Sequence, residues 1–422
     1  MDSALIPAWG AILALTVSII LIIKKVQPVY ALIFGALFGG LISTFNLELV
    51  IKEMSTGAKD IVPAIIRILM AGILAGTLVG TKSAEKIARS ITQSFGSSKA
   101  VYAIILATFV LTFSGVFIDV AVLTVAPIAL AVAGKSGASK MAILVALVGG
   151  GKCGNVISPN PNTISAAANF NAQLSSVMYA NIGASIIGLI VTILVVWYVV
   201  KKTKNNPVSA EEISDSDASE LPSLWASVSG PVVAIGLLVL RPILDISIDP
   251  LIALPVGGFA CALFTGKIKN FMADSTFGLS KMTPVAVLLL GTGCLGGIIK
   301  ASTLKNALLD FMAHLGLSDI FIAPFSGALM SAASASTTAG AAIASATFAE
   351  AVLAGGITAI WGAAMTNAGA VALDQMPHGS FFHVSGGAVN MSFNERLKIV
   401  HYETIIGIAI GIASTLSCLI FS

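Results

Sequence analysis

Long apolar runs, each closed by a few charged positions, divide this chain from end to end. The clearest lie at about 7–23, 29–46, 180–200, 248–266 and 402–421. Each approaches or exceeds the roughly 18–20 residues that an α-helix needs to cross a bilayer. A further span is expected near 61–80 and another near 226–243. Between the runs, 83–96 and 303–315 set apolar residues at helical spacing (Ala84, Ile87, Ala88, Ile91 and Phe95 in the first). That pattern predicts amphipathic helices lying at the membrane interface. Residues 201–223 break the apolar rhythm, with lysines, then Glu211, Glu212, Asp215, Asp217 and Glu220 among serines, then Pro222. They read as a solvated polar linker.

The pattern also repeats. Shifted by 220 residues, the chain aligns with itself without a gap from near 70 to near 170. Ala71-Gly72-Ile73-Leu74-Ala75-Gly76 falls on Gly291-Thr292-Gly293-Cys294-Leu295-Gly296, Ser114 on Ser334, and Gly149 on Gly369. The predicted organisation is a first transmembrane repeat at 1–200, the linker at 201–223 and a second repeat at 224–422. Membrane proteins built from two copies of one unit commonly place a substrate site where the copies meet.

Charge sets the orientation, because basic residues near span ends mark the cytoplasmic side. Lys24-Lys25, the cluster Lys82, Lys86, Arg89 and Lys99, the pair Lys135 and Lys140, and Lys201-Lys202 all read as inside. In the second copy Lys267 and Lys269 lie inside where their counterparts lie outside. The stretch 300–319 is neutral where 82–99 is basic. The swap of sides predicts an inverted-topology repeat. The 47–60 stretch, with balanced charge, reads as an outside loop. The expected fold class is therefore an all-α polytopic membrane protein of two inverted repeats with re-entrant hairpins and broken helices.

Composition narrows function further. Hydrophobic residues make up 56% of the chain, charged residues 10%, and the net charge is only +3. A soluble fold and a nucleic-acid partner are both excluded. The four cysteines, Cys153, Cys261, Cys294 and Cys418, are far apart and have no metal-ligand spacing. They read as small buried hydrophobes, and no cofactor is expected. An intramembrane hydrolase would need a nucleophile with a base or a metal set, and none stands out. A passive channel is the rival that the residues leave open.

Chemistry concentrates where the membrane segments break. Residues 100–134 must enter and return, turning near Ser114-Gly115 with Asp119 close by. The second copy turns within Ser334-Ala335-Ser336-Thr337-Thr338. Such hydroxyls beside a helix start suit an anion, since free N–H groups and the positive dipole end point there. Close packing of small residues is the alternative. The second break reads as Gly149 through Thr163, where Pro159 and Pro161 end the helix. Asn155, Ser158, Asn160, Asn162 and Thr163 can replace water around a polar solute. Its counterpart, Gly369 through His383, carries Asp374 and His378 in an apolar region. Ionisable groups there are functional candidates, and a histidine can carry a proton. A structural Asp374 cap with a backbone-bonded His378 is the other reading. Lys152 either neutralises a substrate carboxylate or snorkels from a span end. Asp119 either meets a cation or caps its own turn.

At Leu373-Asp374-Gln375-Met376-Pro377-His378 the chain resembles the gluconate:proton symporter family, whose members carry Leu-Asp-x-x-Pro-His near the C-terminal end. The likeness also covers the Gly-rich 72–96 segment, 114–128 with Pro127-Ile128, and 334–340. Membership implies a multi-pass permease of the bacterial inner membrane, with proton-coupled uptake of gluconate or a related acid. It also suggests a homodimer. Where gluconate permeases carry Pro-Pro-His-Pro-Gly-Pro, this chain has Ser158-Pro159-Asn160-Pro161-Asn162-Thr163. The backbone break is kept and the histidine is replaced by Asn160, so a carboxylate follows from the resemblance but its identity does not. Sodium is the alternative coupling ion, because unwound carbonyls and Asp side chains also suit it.

Overall fold

Glycines and prolines at the helix boundaries, and little else polar, decide how this chain folds. The computed structural model describes residues 6–95, 99–136, 138–203, 221–240, 248–314 and 318–422. Apart from one isolated bridge between Ile6 and Ser302, the described residues are helices and their connections. In the first half the helices are α1 (Ala8–Ile23), α2 (Pro28–Thr44), α3 (Leu47–Asp60), α4 (Val62–Gly80), α5 (Ser83–Ser94) and α6 (Ala100–Phe113). Then follow α7 (Ile118–Ser136), α8 (Lys140–Asn155), α9 (Pro161–Asn169), α10 (Leu174–Ala180) and α11 (Ile182–Lys202). The second half starts with α12 (Leu224–Leu238), α13 (Pro250–Phe264), α14 (Phe271–Lys300), α15 (Leu304–His314), α16 (Ile322–Ser334) and α17 (Thr337–Ala354). It ends with α18 (Ala359–Ala370), α19 (Ser380–Ala388), α20 (Phe393–Leu397) and α21 (Val400–Phe421).

The order of elements is duplicated. With the 220-residue shift, α5 through α11 fall on α15 through α21, while α3 and α4 together fall on the single long α14. The fold class is thus the expected one, all-α with two repeats, hairpins and broken helices. Most of the linker, residues 204–220, lies outside the described residues. Among the described residues five segments are long and apolar enough to cross a membrane, including Ile182–Lys202 and Ile268–Lys300.

The 47–60 stretch is a helix rather than a loop. Asn46 caps it by accepting a hydrogen bond from the Leu49 amide, and Val50, Met54 and Gly57 turn inward. That face packs on α14, where a Cβ added at Gly57 would lie 2.2 Å from the Gly293 carbonyl oxygen. The balanced charges sit on its other face. The glycine run 149–151 is also helical. It belongs to α8, and a Cβ added at Gly150 would fall 2.2 Å from the Ile105 carbonyl oxygen of α6. These glycines serve helix contact, and the real break is confined to Val156–Asn160. The two stretches read as amphipathic form helices, α5 and α15.

Two layers result. Helices α1–α4 pack with α12, α13 and α14, and the broken helices α6–α9 and α16–α19 pack with α11 and α21. Between α4 and α14 a Cβ on Gly278 would lie 1.8 Å from the Gly72 carbonyl oxygen. Only backbone fits at that crossing.

Candidate functional site

Four helix starts point into one cavity. In each half, one hairpin tip and one helix break leave a short unwound piece followed by a new helix: α7 and α9 in the first, α17 and α19 in the second. The caps are local. Gly115 takes the left-handed conformation (φ +96°) between α6 and α7. Asn160 accepts the Thr163 amide hydrogen at 3.1 Å, which starts α9 before Pro161. Ala335 (φ 48°) turns the chain and Ser336 caps α17 by accepting from the Ala339 amide at 3.3 Å. The cavity enclosed has a volume of about 890 Å³, and Ile118, Asn162, Thr337 and Ser380 from the four helix starts all line it. Free N–H groups and the positive dipole ends therefore converge on one space.

Of the residues singled out from sequence, Asn155, Asn162, Ser334, Ser336, Thr337 and Thr338 stand on the cavity wall, with Asp119 and Asp374. Ser114, Ser158, Asn160, Thr163 and His378 do not. Ser114 is buried and donates back to the Val110 carbonyl at 2.6 Å. Asn160 donates to the carbonyl and side-chain oxygens of Asn155 and accepts from Thr163, so it holds the break rather than facing the space. Ser158 is fully buried, and its hydroxyl has no partner among the described residues. His378 is exposed, with Nε2 at 3.2 Å from the Ala333 carbonyl oxygen near the α16 end.

The break in α8 and α9 is tied to the second half through amides. Asn162 Nδ2 donates to Asn367 Oδ1 at 2.7 Å, and Asn367 Nδ2 donates to Thr163 Oγ1 at 3.1 Å and to the Val156 carbonyl at 3.3 Å. Asn181 Nδ2 donates to the Ala364 carbonyl at 3.0 Å. A stronger tie is ionic. Lys152 Nζ lies 2.7 Å from Asp374 Oδ1, with both side chains buried (0% and 2% exposed). The same ammonium donates to the Val371 carbonyl and to Gln375 Oε1, each at 2.6 Å. Thr337 donates to the other Asp374 oxygen. Lys152 thus neither snorkels nor faces the cavity, and its charge is already answered by Asp374. Asp119, in the first turn of α7, makes no ion pair among the described residues.

Sequence reasoning missed several polar groups. Asn367 was not singled out, and Gln375 stood only as a variable position of the Leu-Asp-x-x-Pro-His element; only the contacts across the two halves give them meaning. Arg396 and Glu403 form a second fully buried pair at 2.9 Å, with Arg396 Nε donating to Ser385 Oγ at 3.2 Å. Arg396 reads in the sequence as one more cytoplasmic charge. Lys281, on the cavity wall within α14, was detectable as a lone lysine in an apolar span. The cysteines are free, and no cluster that could hold a metal occurs among the described residues.

A cavity of this size, with hydroxyls, amides and three ionisable side chains on a largely apolar wall among broken helices of an apolar multi-pass fold, fits a secondary membrane transporter. The profile of the GntP family permeases matches residues 6–251. An uncharacterized transporter of Haemophilus influenzae is 49% identical over 413 residues, covering 97% of this chain and 98% of that protein. The chain belongs to the GntP permease family. The crystal structure of the Alcanivorax borkumensis YdaH transporter, described as having an unusual topology, matches with a TM-score of 0.65 over 98% of each chain at 12% identity. That likeness concerns the fold. The protein is an integral membrane permease for a small molecule and not an enzyme.

Proposed function

We propose that this permease takes up a small organic anion, a carboxylate such as gluconate or a related sugar acid, by proton symport with alternating access. The observation that carries the reading is the convergence of four helix N-termini on one cavity. Such ends favour a negative group. The four are not equivalent. Asp119 occupies the first turn of α7, where it offsets the dipole, whereas α17 opens with Ser336, Thr337 and Thr338 and no acid. The anion therefore suits the α17 tip, and the coupling proton suits Asp119 or Asp374, with His378 at the neighbouring surface. Gln27, Pro28 and Val29 also line the cavity, directly after Lys24-Lys25. With those lysines cytoplasmic, the cavity is open inward. In this reading repeats 1–200 and 224–422 are joined by a cytoplasmic linker, and the protein is a homodimer of the bacterial inner membrane, as the family resemblance supports.

The test is uptake of a labelled carboxylate panel, gluconate included, into proteoliposomes under imposed gradients. Accumulation that needs an inward proton gradient and collapses with an uncoupler is expected. Accumulation that follows sodium instead would discard the proton role. Equilibration without accumulation would make the protein a channel.

A further inference from the structure

We infer that Lys281 is the cation that docks the substrate carboxylate, which deepens the anion-uptake reading above and rests on it. Lys281 lies within α14, a thirty-residue helix whose segment is apolar enough to cross the membrane. An ionisable side chain in such a segment is costly and is retained where it faces a wet cavity or a partner. Its neighbour Met282 is buried against α4, where a Cβ added at Gly72 would lie 2.6 Å from Met282 Cγ. Lys281 itself is exposed and stands on the cavity wall with Asp119 and Ser336.

The distribution of charge on this wall is what singles it out. The acids there are Asp119 and Asp374, and Lys281 is the cation among the described lining residues. Lys152 cannot serve, because it is fully buried, donates to Val371 and Gln375 and is ion-paired with Asp374. Lys281 makes no ion pair among the described residues; its ammonium lies 5.2 Å from the centre of the Phe277 ring. A carboxylate entering without Lys281 would meet helix dipoles and two acids. With it, the anion gains an ammonium from the cavity lining that the α17 tip shares. The two binding elements sit in different layers of the fold, so the substrate itself bridges them.

The experiment measures KM and maximal rate in proteoliposomes for whichever carboxylate the wild type moves best. Losing a charge-assisted contact of this kind costs about 1.4 kcal/mol or more, so Lys281→Gln should raise KM at least about tenfold. The maximal rate should change less than about twofold, and Lys281→Arg should keep most of the affinity, because the charge is preserved. Lys281→Cys provides an independent arm. A thiol reagent that installs an ethylammonium group should lower its KM, and one that installs a sulfonate should raise it. An unchanged KM in Lys281→Gln, or a fall in maximal rate alone, would overturn the assignment while leaving anion transport intact. A wild type that moves no carboxylate would overturn both readings together.

Discussion

Replacing Lys152 by methionine removes one charge from a buried polar cluster, and the structure says what is left behind. The ammonium has three oxygen partners at 2.6–2.7 Å, all of them from the second half's helix break. Without it, the Asp374 carboxylate keeps only the Thr337 hydroxyl, and the Val371 carbonyl and Gln375 Oε1 lose a donor. Removing one member of a buried pair typically costs about 3–5 kcal/mol, because the other charge stays buried and unanswered. Lys152→Met combined with Asp374→Leu removes both charges, and we expect it to recover more than half of the loss. Stability would be read by SDS titration of purified protein in mixed micelles, with all four members of the cycle in one buffer. A single variant within about 1 kcal/mol of wild type would refute the reasoning, since that is the range of exposed pairs. So would a double variant no more stable than Lys152→Met alone. The double variant should also lose gradient-driven accumulation if Asp374 takes part in coupling.

Three further outcomes are expected. Ser336→Ala removes the cap of α17, costs about 1 kcal/mol and raises the apparent KM; an unchanged KM in uptake assays would take the tip out of the site. Gly278→Ala should destabilise by about 1–3 kcal/mol in the same titration, since its Cβ would lie 1.8 Å from the Gly72 carbonyl oxygen; wild-type stability would mean that α4 and α14 separate freely. Asp249 accepts three hydrogen bonds from Arg67, at 3.0 and 3.2 Å from Nε and at 2.8 Å from Nη2. Burial pushes the Asp249 carboxyl up, but the bonds from Arg67 and the Leu251 amide outweigh it and hold the group below the usual carboxylate range. A carboxyl lowered by folding contributes stability above its unfolded-state value and loses it as pH falls through the folded-state value. The advantage of wild type over Asp249→Asn, no more than about 1 kcal/mol for a partly exposed pair, should therefore fade on acidification. A difference that stays constant down to about pH 3 would refute it.

Backbone breaks were the most legible part of the site. Ser114-Gly115 and the serine-rich 334–338 tip announce themselves, because glycine and small hydroxyl residues stand where an apolar span ought to continue. Asp374 was visible for the same reason, as an acid in an apolar stretch. Its partner was not, since nothing local connects Lys152 to a residue so distant in the chain. Glycine misled at 149–151, where it permits close approach of α8 to α6 instead of ending the helix. At 47–60 the charges suggested water on all sides, while Val50, Met54 and Gly57 already formed one inward stripe. Lys281 hardly lowers the hydropathy of its thirty-residue helix, so its signal is the lone lysine itself and not the run's average.

The Lys152–Asp374 tie has a consequence for how the protein is made. Lys152 is synthesised about 220 residues before the carboxylate that neutralises it. At roughly 5–20 residues per second, its ammonium waits on the order of 10–45 seconds for a partner. During that interval α8 is an incomplete membrane helix, with a charge that neither lipid nor its own half can answer. The nascent first half must therefore linger at the translocon or near its water-filled edge until the second half emerges. The order of translation, and not only the finished packing, then becomes part of what this buried pair demands of the cell.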